Sequence, residues 1–591
     1  MSPEEYQRLQ QEAQDNHEDF WAKCAQKLVW QELFTETLQW DLPFAKWFVG
    51  GKLNACENCV DRHVLLGKGD KKAIIWEGER GEIRTLTYAE LLQEVQNLSA
   101  LMLDTGILAG DCVGIYMPMI PEAAIAMLAC ARIGATHNVI FGGFSAEGLR
   151  DRVLDSNCKA IITADGGFRK GAVIELKKAV DTVESIQHVF VFKHAGNQIT
   201  MKPGRDIEVC SLNKTSPLAS LLSEHPLFVL YTSGTTGKPK GIVHGTGGYL
   251  TQVASTFEWV FDPQEDDIYW CTADVGWITG HSYGVYGPLL AGATIFMYEG
   301  APVYPTPGRF WEMIERHKIS ILYTAPTAIR MFMQSGEEWP NKYDLSSLRL
   351  LGSVGEPINP EAWYWYSHVI GKDKCPIVDT WWQTETGSIM ISPVPGITKT
   401  KPGSASHALP GIAADIIDGF LVIKKPWPSM TLGILGDKER FKQTYWSQIA
   451  GSYFTGDGAT RDQDGHFWVS GRVDDVLKIA GHRLGTAEIE SAAAKHPAVA
   501  ECAAVGKPDD IKGQTAICFV ALKESQIASS ALEREIVNCV GVHLGAFAKP
   551  SEIRFVAKLP KTRSGKIMRR LLRELVTHGK VSGDMSTLED P

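Results

Sequence analysis

A chain of 591 residues is longer than one hydrophobic core can organise, so two or more domains are expected. Apolar residues at 44% and charged residues at 22% are the proportions of an ordinary soluble protein. The formal net charge of −10 argues against a protein that coats nucleic acid, because its field repels phosphate backbones, yet it leaves room for a local basic nucleotide site.

The opening Met1-Ser2-Pro3-Glu4-Glu5 is acidic and lacks the basic segment and apolar core of a secretory signal. From about residue 6 to residue 47, Trp, Phe and Leu recur at helical spacing, which predicts an amphipathic helical leader. Cys56 and Cys59 form a lone C-x-x-C. Without a second pair at zinc-ribbon distance they read as buried thiols, and the twelve scattered cysteines suit a reducing compartment. The apolar run Ala123 to Ala131 ends at Arg132 and is too short to span a bilayer. A cytoplasmic protein with neither a membrane nor a nucleic-acid partner is expected.

Short apolar runs then alternate with helical patterns, among them Ala160 to Thr163, Leu227 to Leu230, Ile319 to Tyr323 and Pro376 to Val378. Several end in Gly, Ser, Thr or Asp clusters, as buried parallel strands feeding functional loops do in an α/β fold. Ligands in such sheets sit outside the carboxyl ends of the strands. The character changes near Gly471-Arg472-Val473-Asp474-Asp475. The chain therefore divides into a large N-terminal domain of parallel or mixed sheets with helices, residues 1–473, and a small α+β domain, residues 474–591.

The loop Tyr231-Thr232-Ser233-Gly234-Thr235-Thr236-Gly237-Lys238-Pro239-Lys240-Gly241 directly follows one predicted strand. Its glycines let the backbone approach an oligophosphate, its hydroxyls donate and its lysines supply charge, although the spacing is not that of a Walker A loop. The loop resembles the phosphate-binding signature of the acyl-adenylate-forming superfamily. Further blocks, in order, are similar to the acetyl-CoA synthetase branch of that superfamily: Ala273 to Tyr283, Gly352 to Pro360, Asp379 to Gly387, Tyr453 to Gly458, Gly471 to Asp475, Gly481 to Gly485 and Leu559 to Lys566.

The resemblance implies an AMP-forming ligase that joins acetate to coenzyme A through an acetyl-adenylate, with ATP and coenzyme A as co-substrates and Mg²⁺ as cofactor. Propionate or another short acid as substrate, and acyl transfer to a carrier protein, are the alternatives. A carboxylate attacking the α-phosphate brings two anions together, so the site needs cations. By similarity Lys566 offsets that charge, and it is also the residue that lysine acetylation and deacetylation enzymes would act on. Glu385 would hold the ATP-bound Mg²⁺. Thr232 to Gly237 and Lys240 would take the phosphates, and Gly355, Glu356 and Pro357 with Asp379, Thr380, Trp381, Trp382, Gln383 and Thr384 would line the adenine and α-phosphate. Asp457 would accept the ribose hydroxyls, with Arg472 and Arg483 on ribose and phosphate oxygens.

Trp382 is similar to the indole that closes the acyl pocket of the acetate-using branch, with Ile278, Thr279 and Val354 completing the wall. Ile278 stands where a valine is usual, which narrows the pocket towards acetate by excluding longer chains. The resemblance makes the C-terminal domain mobile about a hinge at Asp474. Main-chain carbonyls of Ala494, His496 and Val499 would hold a second, structural cation.

Departures gather on the coenzyme A side. Relatives carry an Arg-x-Gly-Arg loop where this chain has Arg169-Lys170-Gly171-Ala172. Val303 replaces a usual Asn, Ala480 a usual Ser and Gly541 a common Arg, so that Arg169, Lys170, Gly171, Ala172, Thr279, Val303 and Ala480 are the coenzyme A positions with several polar contacts missing. Ser388 takes the place of a second glycine after Gly387, and the stretch from Pro410 to Gly433 is short.

Overall fold

The computed structural model describes residues 1–210, 213–232, 239–472, 476–479, 482–509, 513–524, 526–545, 548–562, 567–581, 585 and 588, with the side chains of 476, 478, 482–484 and 513 left aside. Two large sheets form its frame. The first has eight strands, in the order Asp206–Glu208, His188–Phe192, Cys158–Ala164, Cys112–Tyr116, Thr136–Val139, Pro226–Thr232, Lys240–Gly245 and Gly433–Ile434. Pairing is parallel from the first of these to Pro226–Thr232, and Lys240–Gly245 is antiparallel to both its neighbours. The second sheet has seven strands, ordered Ile377–Asp379, Leu350–Ser353, Ile321–Thr324, Ile268–Cys271, Thr294–Tyr298, Lys72–Glu77 and Ile83–Thr87. It is parallel throughout except at Ile83–Thr87.

These strands are continuous Val/Ile/Leu runs because helices and the neighbouring sheet cover both faces. The helix Pro121–Ile133 shows the corresponding helical solution. It is apolar all round and buried over nearly its whole length, with Pro121 at its start and Gly134 in the left-handed conformation at its end. The run Ala123 to Ala131 is thus a core helix, and no described helix is long and apolar enough to cross a membrane. Cys56 and Cys59 are buried free thiols packed in the same core.

The N-terminal leader is helical over Pro3–Asp15 and His17–Ala25 only. Glu36–Asp41 and Phe44–Val49 form an antiparallel hairpin, which corrects the expectation of helix to residue 47. The reason is local: Pro43 cannot sit inside a helix, and apolar residues alternate with polar ones at Leu38, Trp40 and their neighbours. The short stretch after Pro410 closes as the hairpin Ala414–Ile417 and Phe420–Ile423. Its two-residue turn is Asp418 (φ 52°) and Gly419 (φ 77°), the primed geometry that suits strand twist. It continues into Tyr453–Arg461 and Phe467–Arg472 as a four-stranded antiparallel sheet.

Beyond residue 475 a five-stranded sheet combines His482–Gly485, Val476–Ile479, Gly513–Leu522, Val499–Asp509 and Glu552–Phe555. Helices Thr486–Ala494, Ser530–Leu544 and Arg569–His578 pack on it. Its interior, around Ile489, Val520 and Ile536, is an apolar cluster separate from the larger core.

Candidate active site

Four parallel strands of the second sheet end side by side, and their first loop residues interlock. Val354 donates its N–H to Thr324 O at 3.1 Å, and Thr380 donates its N–H to Ser353 O at 3.0 Å. The Thr380 hydroxyl also donates to Ser353 O at 2.9 Å, which leaves its lone pair for the Tyr323 hydroxyl at 2.7 Å. Trp382 in turn donates its indole N–H to that hydroxyl at 3.3 Å, and its ring meets Tyr283 edge-on at 5.0 Å. The Tyr283 hydroxyl accepts the Ile389 N–H at 2.8 Å, so the ring that faces Trp382 is fixed from behind. Ile278 and Val354 are buried, and Thr279 is half-buried at the start of the helical turn that follows. Asp379 is buried at the same edge, and desolvation pushes its carboxyl up to about 8.

A second cluster forms around Asp457, on the antiparallel strand Tyr453–Arg461. The Trp381 indole donates to Asp457 Oδ2 at 3.1 Å and Gln383 Nε2 to the same oxygen at 2.8 Å. Gln383 also donates to Thr455 O at 2.8 Å and accepts from the Tyr453 hydroxyl at 3.1 Å. Arg472 lies opposite Asp457 in register, donating to Thr455 O at 2.9 Å with its guanidinium 3.9 Å from Asp457 Oδ1. Gly355, with φ 99°, has open space where a Cβ would stand. Glu356 follows it, bonded to the Thr327 hydroxyl at 2.5 Å and to Arg330 at 2.6 Å. Burial opposes ionisation of Glu356, but Arg330 and Thr327 outweigh it and hold the carboxyl below its ordinary range. Pro357 adjoins it, and Arg569 of the C-terminal helix contributes to the same field.

The third cluster sits at the mouth of the phosphate-type loop. Ser233, Gly234, Thr235, Thr236, Gly237 and Lys238 lie outside the described residues, but both ends of the loop are fixed by the pairing of Pro226–Thr232 with Lys240–Gly245. Among the described residues the buried Thr232 hydroxyl finds no partner. Lys240 is buried and donates to the Tyr445 hydroxyl at 2.8 Å, and Tyr445 donates to Glu385 Oε1. Lys240 Nζ is itself 3.8 Å from Glu385. Burial first, then the Glu385 charge, raises the Tyr445 phenol far above its ordinary value, so it stays a donor. His244 reaches Thr384 O at 2.7 Å, and Gly387 (φ 74°) leaves no room for a Cβ against Ser429 O and His244. Ser388 occupies the next position with its hydroxyl 2.7 Å from that of Ser429.

Arg169 to Ala172 form a separate structure, a hairpin of Gly167–Arg169 with Ala172–Ile174. Arg169 contributes to the field at Asp274, whose carboxyl burial pushes up to about 6. Val303 packs against the apolar cluster around Trp270 and Phe310. At Gly541 the Lys549 side chain fills the space a larger residue would need, its ammonium on Asn538 Oδ1 at 2.9 Å. Asp474, Ala480 and Lys566 lie outside the described residues, as does the Arg483 side chain. Ala494 ends its helix, and the His496 carbonyl accepts the Val499 N–H at 3.0 Å. Among the described residues no group of three or more His, Cys, Asp or Glu side chains is placed to hold a metal ion.

Tyr283, Tyr323, Tyr445, Thr327 and Arg330 join these clusters without having been singled out for a role. Tyr283 and Tyr323 could have been suspected, since one closes a quoted motif and the other ends a predicted strand. Tyr445 carries no local signal at all.

Strand-end loops of a parallel sheet, Lys240 and Glu385 paired where the glycine-rich segment rejoins the first sheet, and an acceptor carboxylate beside Arg472 define a nucleotide-binding α/β enzyme. A family model described as AMP-binding enzyme matches residues 62–424, one described as AMP-binding enzyme C-terminal domain matches 488–566, and one described as Acetyl-coenzyme A synthetase N-terminus matches 6–59. The chain belongs to the AMP-binding enzyme family. It is 54% identical to the acetyl-coenzyme A synthetase of Chlorobaculum tepidum over 100% of this chain and 92% of that protein. The acetyl-coenzyme A synthetases of Rubrobacter xylanophilus and Deinococcus radiodurans are 54% and 53% identical, covering 98% and 100% of this chain and 93% and 94% of their own lengths.

Proposed function

We propose that the protein is an AMP-forming acetate–CoA ligase. Acetate attacks the α-phosphate of ATP, releasing pyrophosphate, and the coenzyme A thiol then attacks the acetyl-adenylate, releasing AMP. The observation that carries this reading is Asp457, whose Oδ2 accepts from Trp381 and Gln383 while Oδ1 stands 3.9 Å from the Arg472 guanidinium. An ionised acceptor fixed in this way suits a pair of ribose hydroxyls. The acetyl-coenzyme A synthetase names of relatives aligned over the whole chain support the same substrate set.

Site roles follow from the clusters. Thr232 and Lys240 meet the phosphates together with the loop 233–237, the buried Thr232 hydroxyl being a group that an oligophosphate oxygen would satisfy and Lys240 a buried positive charge. Glu385 is a single, slightly exposed carboxylate 3.8 Å from Lys240, a donor that fits Mg²⁺ carried in on phosphate oxygens. When bound, the ion neutralises phosphate charge during transfer. Glu356 and Pro357 line the adenine side, and Thr380 the α-phosphate. Trp382, braced by Tyr323 and Tyr283, closes the acyl pocket with Ile278, Thr279 and Val354, so that the pocket selects a methyl group by exclusion. Lys566 offsets charge at the α-phosphate and is the target of reversible acetylation, and Arg483 joins Arg472 on the nucleotide.

The domain division falls at 473/474, supported by the separate apolar interior beyond residue 475, with Asp474 as hinge. Arg169 and Lys170 are the coenzyme A cations, and the protein works in the cytoplasm on small molecules. The test is acetate-dependent exchange of pyrophosphate into ATP, followed by AMP release with and without coenzyme A. Exchange without acceleration by coenzyme A would refute the second half-reaction, and absence of exchange would refute the first.

A further inference from the structure

The hairpin that carries Arg169 and Lys170 turns through Lys170 (φ 52°) and Gly171 (φ 76°). Both turn amides donate to one carboxylate, Lys170 N–H to Glu79 Oε2 at 2.8 Å and Gly171 N–H to Glu79 Oε1 at 2.7 Å. Glu79 is 5% exposed, and its Oε2 also accepts the Ala301 N–H at 3.1 Å. Glu79 and Ala301 lie just past Lys72–Glu77 and Thr294–Tyr298 of the second sheet, whereas the hairpin follows Cys158–Ala164 of the first. One buried carboxylate therefore ties the turn of one sheet to the strand ends of the other. The hairpin's base is held similarly, Phe168 donating its N–H to Glu299 Oε1 at 2.8 Å while Glu299 Oε2 meets His194 Nε2 at 2.7 Å. Arg80 lies 4.0 Å over the Phe168 ring, and the Tyr304 hydroxyl fills the space beside Gly171.

We propose that Glu79 is a positioning residue for coenzyme A, clamping the backbone of the 167–174 hairpin that carries Arg169 and Lys170, the cations assigned to the coenzyme's phosphates. The proposal rests on the reading of this hairpin as the coenzyme A loop. Ala172 offers no polar side chain and Val303 is an apolar packing residue, so recognition falls on the hairpin's two cations. A turn already fixed loses less freedom on binding, and charged acceptors make the strongest backbone hydrogen bonds.

Glu79→Gln keeps the shape but sets an amide NH₂ against a backbone N–H. It is expected to raise KM for coenzyme A about tenfold, to leave KM for ATP and acetate unchanged, and to speed hydrogen exchange of the Lys170 and Gly171 amides. Glu79→Asp, too short to reach both amides, should act in the same direction. Unchanged KM for coenzyme A in both variants, or equal loss of pyrophosphate exchange and of coenzyme A use, overturns the proposal. Arg169→Ala separates the two levels. If it leaves KM for coenzyme A unaltered, the reading of the loop fails; if it raises that KM while both Glu79 variants do not, only the clamp fails.

Discussion

Around Asp457 the side chains hold one another, whereas in the 167–174 hairpin, which carries Arg169 and Lys170, it is the backbone that is held. The first arrangement makes each functional group a structural partner of the next: Trp381 and Gln383 share one oxygen, and Arg472 faces the other. The second separates the tasks, leaving Glu79 and Glu299 to fix the frame. The difference predicts that substitutions at the nucleotide side cost stability and activity together, while those at the hairpin cost activity alone.

Lys566→Ala is expected to have the largest effect, because it removes the charge assigned to the α-phosphate. Acetate-dependent pyrophosphate exchange is expected to fall about a hundred- to a thousandfold, with the melting temperature unchanged; persistent exchange breaks the role assigned to Lys566. Asp457→Ala leaves the buried Trp381 indole N–H without its acceptor and removes one of the two acceptors of Gln383 Nε2. A loss of about 1–3 kcal/mol in denaturant unfolding should accompany a raised KM for ATP. Arg169→Ala is the counterpart, with unfolding changed by about 0.5 kcal/mol or less, and equal destabilisation by the two would erase the comparison. Trp382→Gly opens the acyl wall, and activity on four- and five-carbon acids should appear at the expense of acetate, read as kcat/KM along a chain-length series.

Asp379 adds a dependence on pH. Asp379 is held protonated up to about 8 in the fold against an ordinary value of 3.8. Its folded value is raised, so the stability it contributes is full below pH 4 and is lost as pH rises towards 8. Asp379→Asn should abolish that slope, melting higher than the parent at pH 8 and not at pH 4.

The same contrast decides what was legible in the sequence. Trp381, Gln383, Asp457 and Arg472 stand in recognisable blocks, and their side chains meet around Asp457. The parallel strands were legible too, as apolar runs ending in polar clusters at Thr163, Thr324 and Asp379. Glu79 was not, since a carboxylate that accepts backbone N–H groups 91 and 92 residues away leaves no spacing to read. Tyr445 was silent for the same reason, meeting Lys240 and Glu385 at separations of 205 and 60 residues. At the N-terminus the aromatic residues of two helices and a hairpin merged into one apparent helical pattern, because both elements bury Trp and Phe against a common core.

The separate apolar interior beyond residue 475 has a practical bearing on how unfolding is observed. All 17 tryptophans lie at or before Trp468, so the intrinsic indole emission of this protein comes entirely from the larger part of the chain. A fluorescence melt will therefore be blind to loss of the sheet packed around Val520 and Ile536, which calorimetry or far-ultraviolet dichroism would register. Disagreement between those probes would measure how far the smaller core opens on its own.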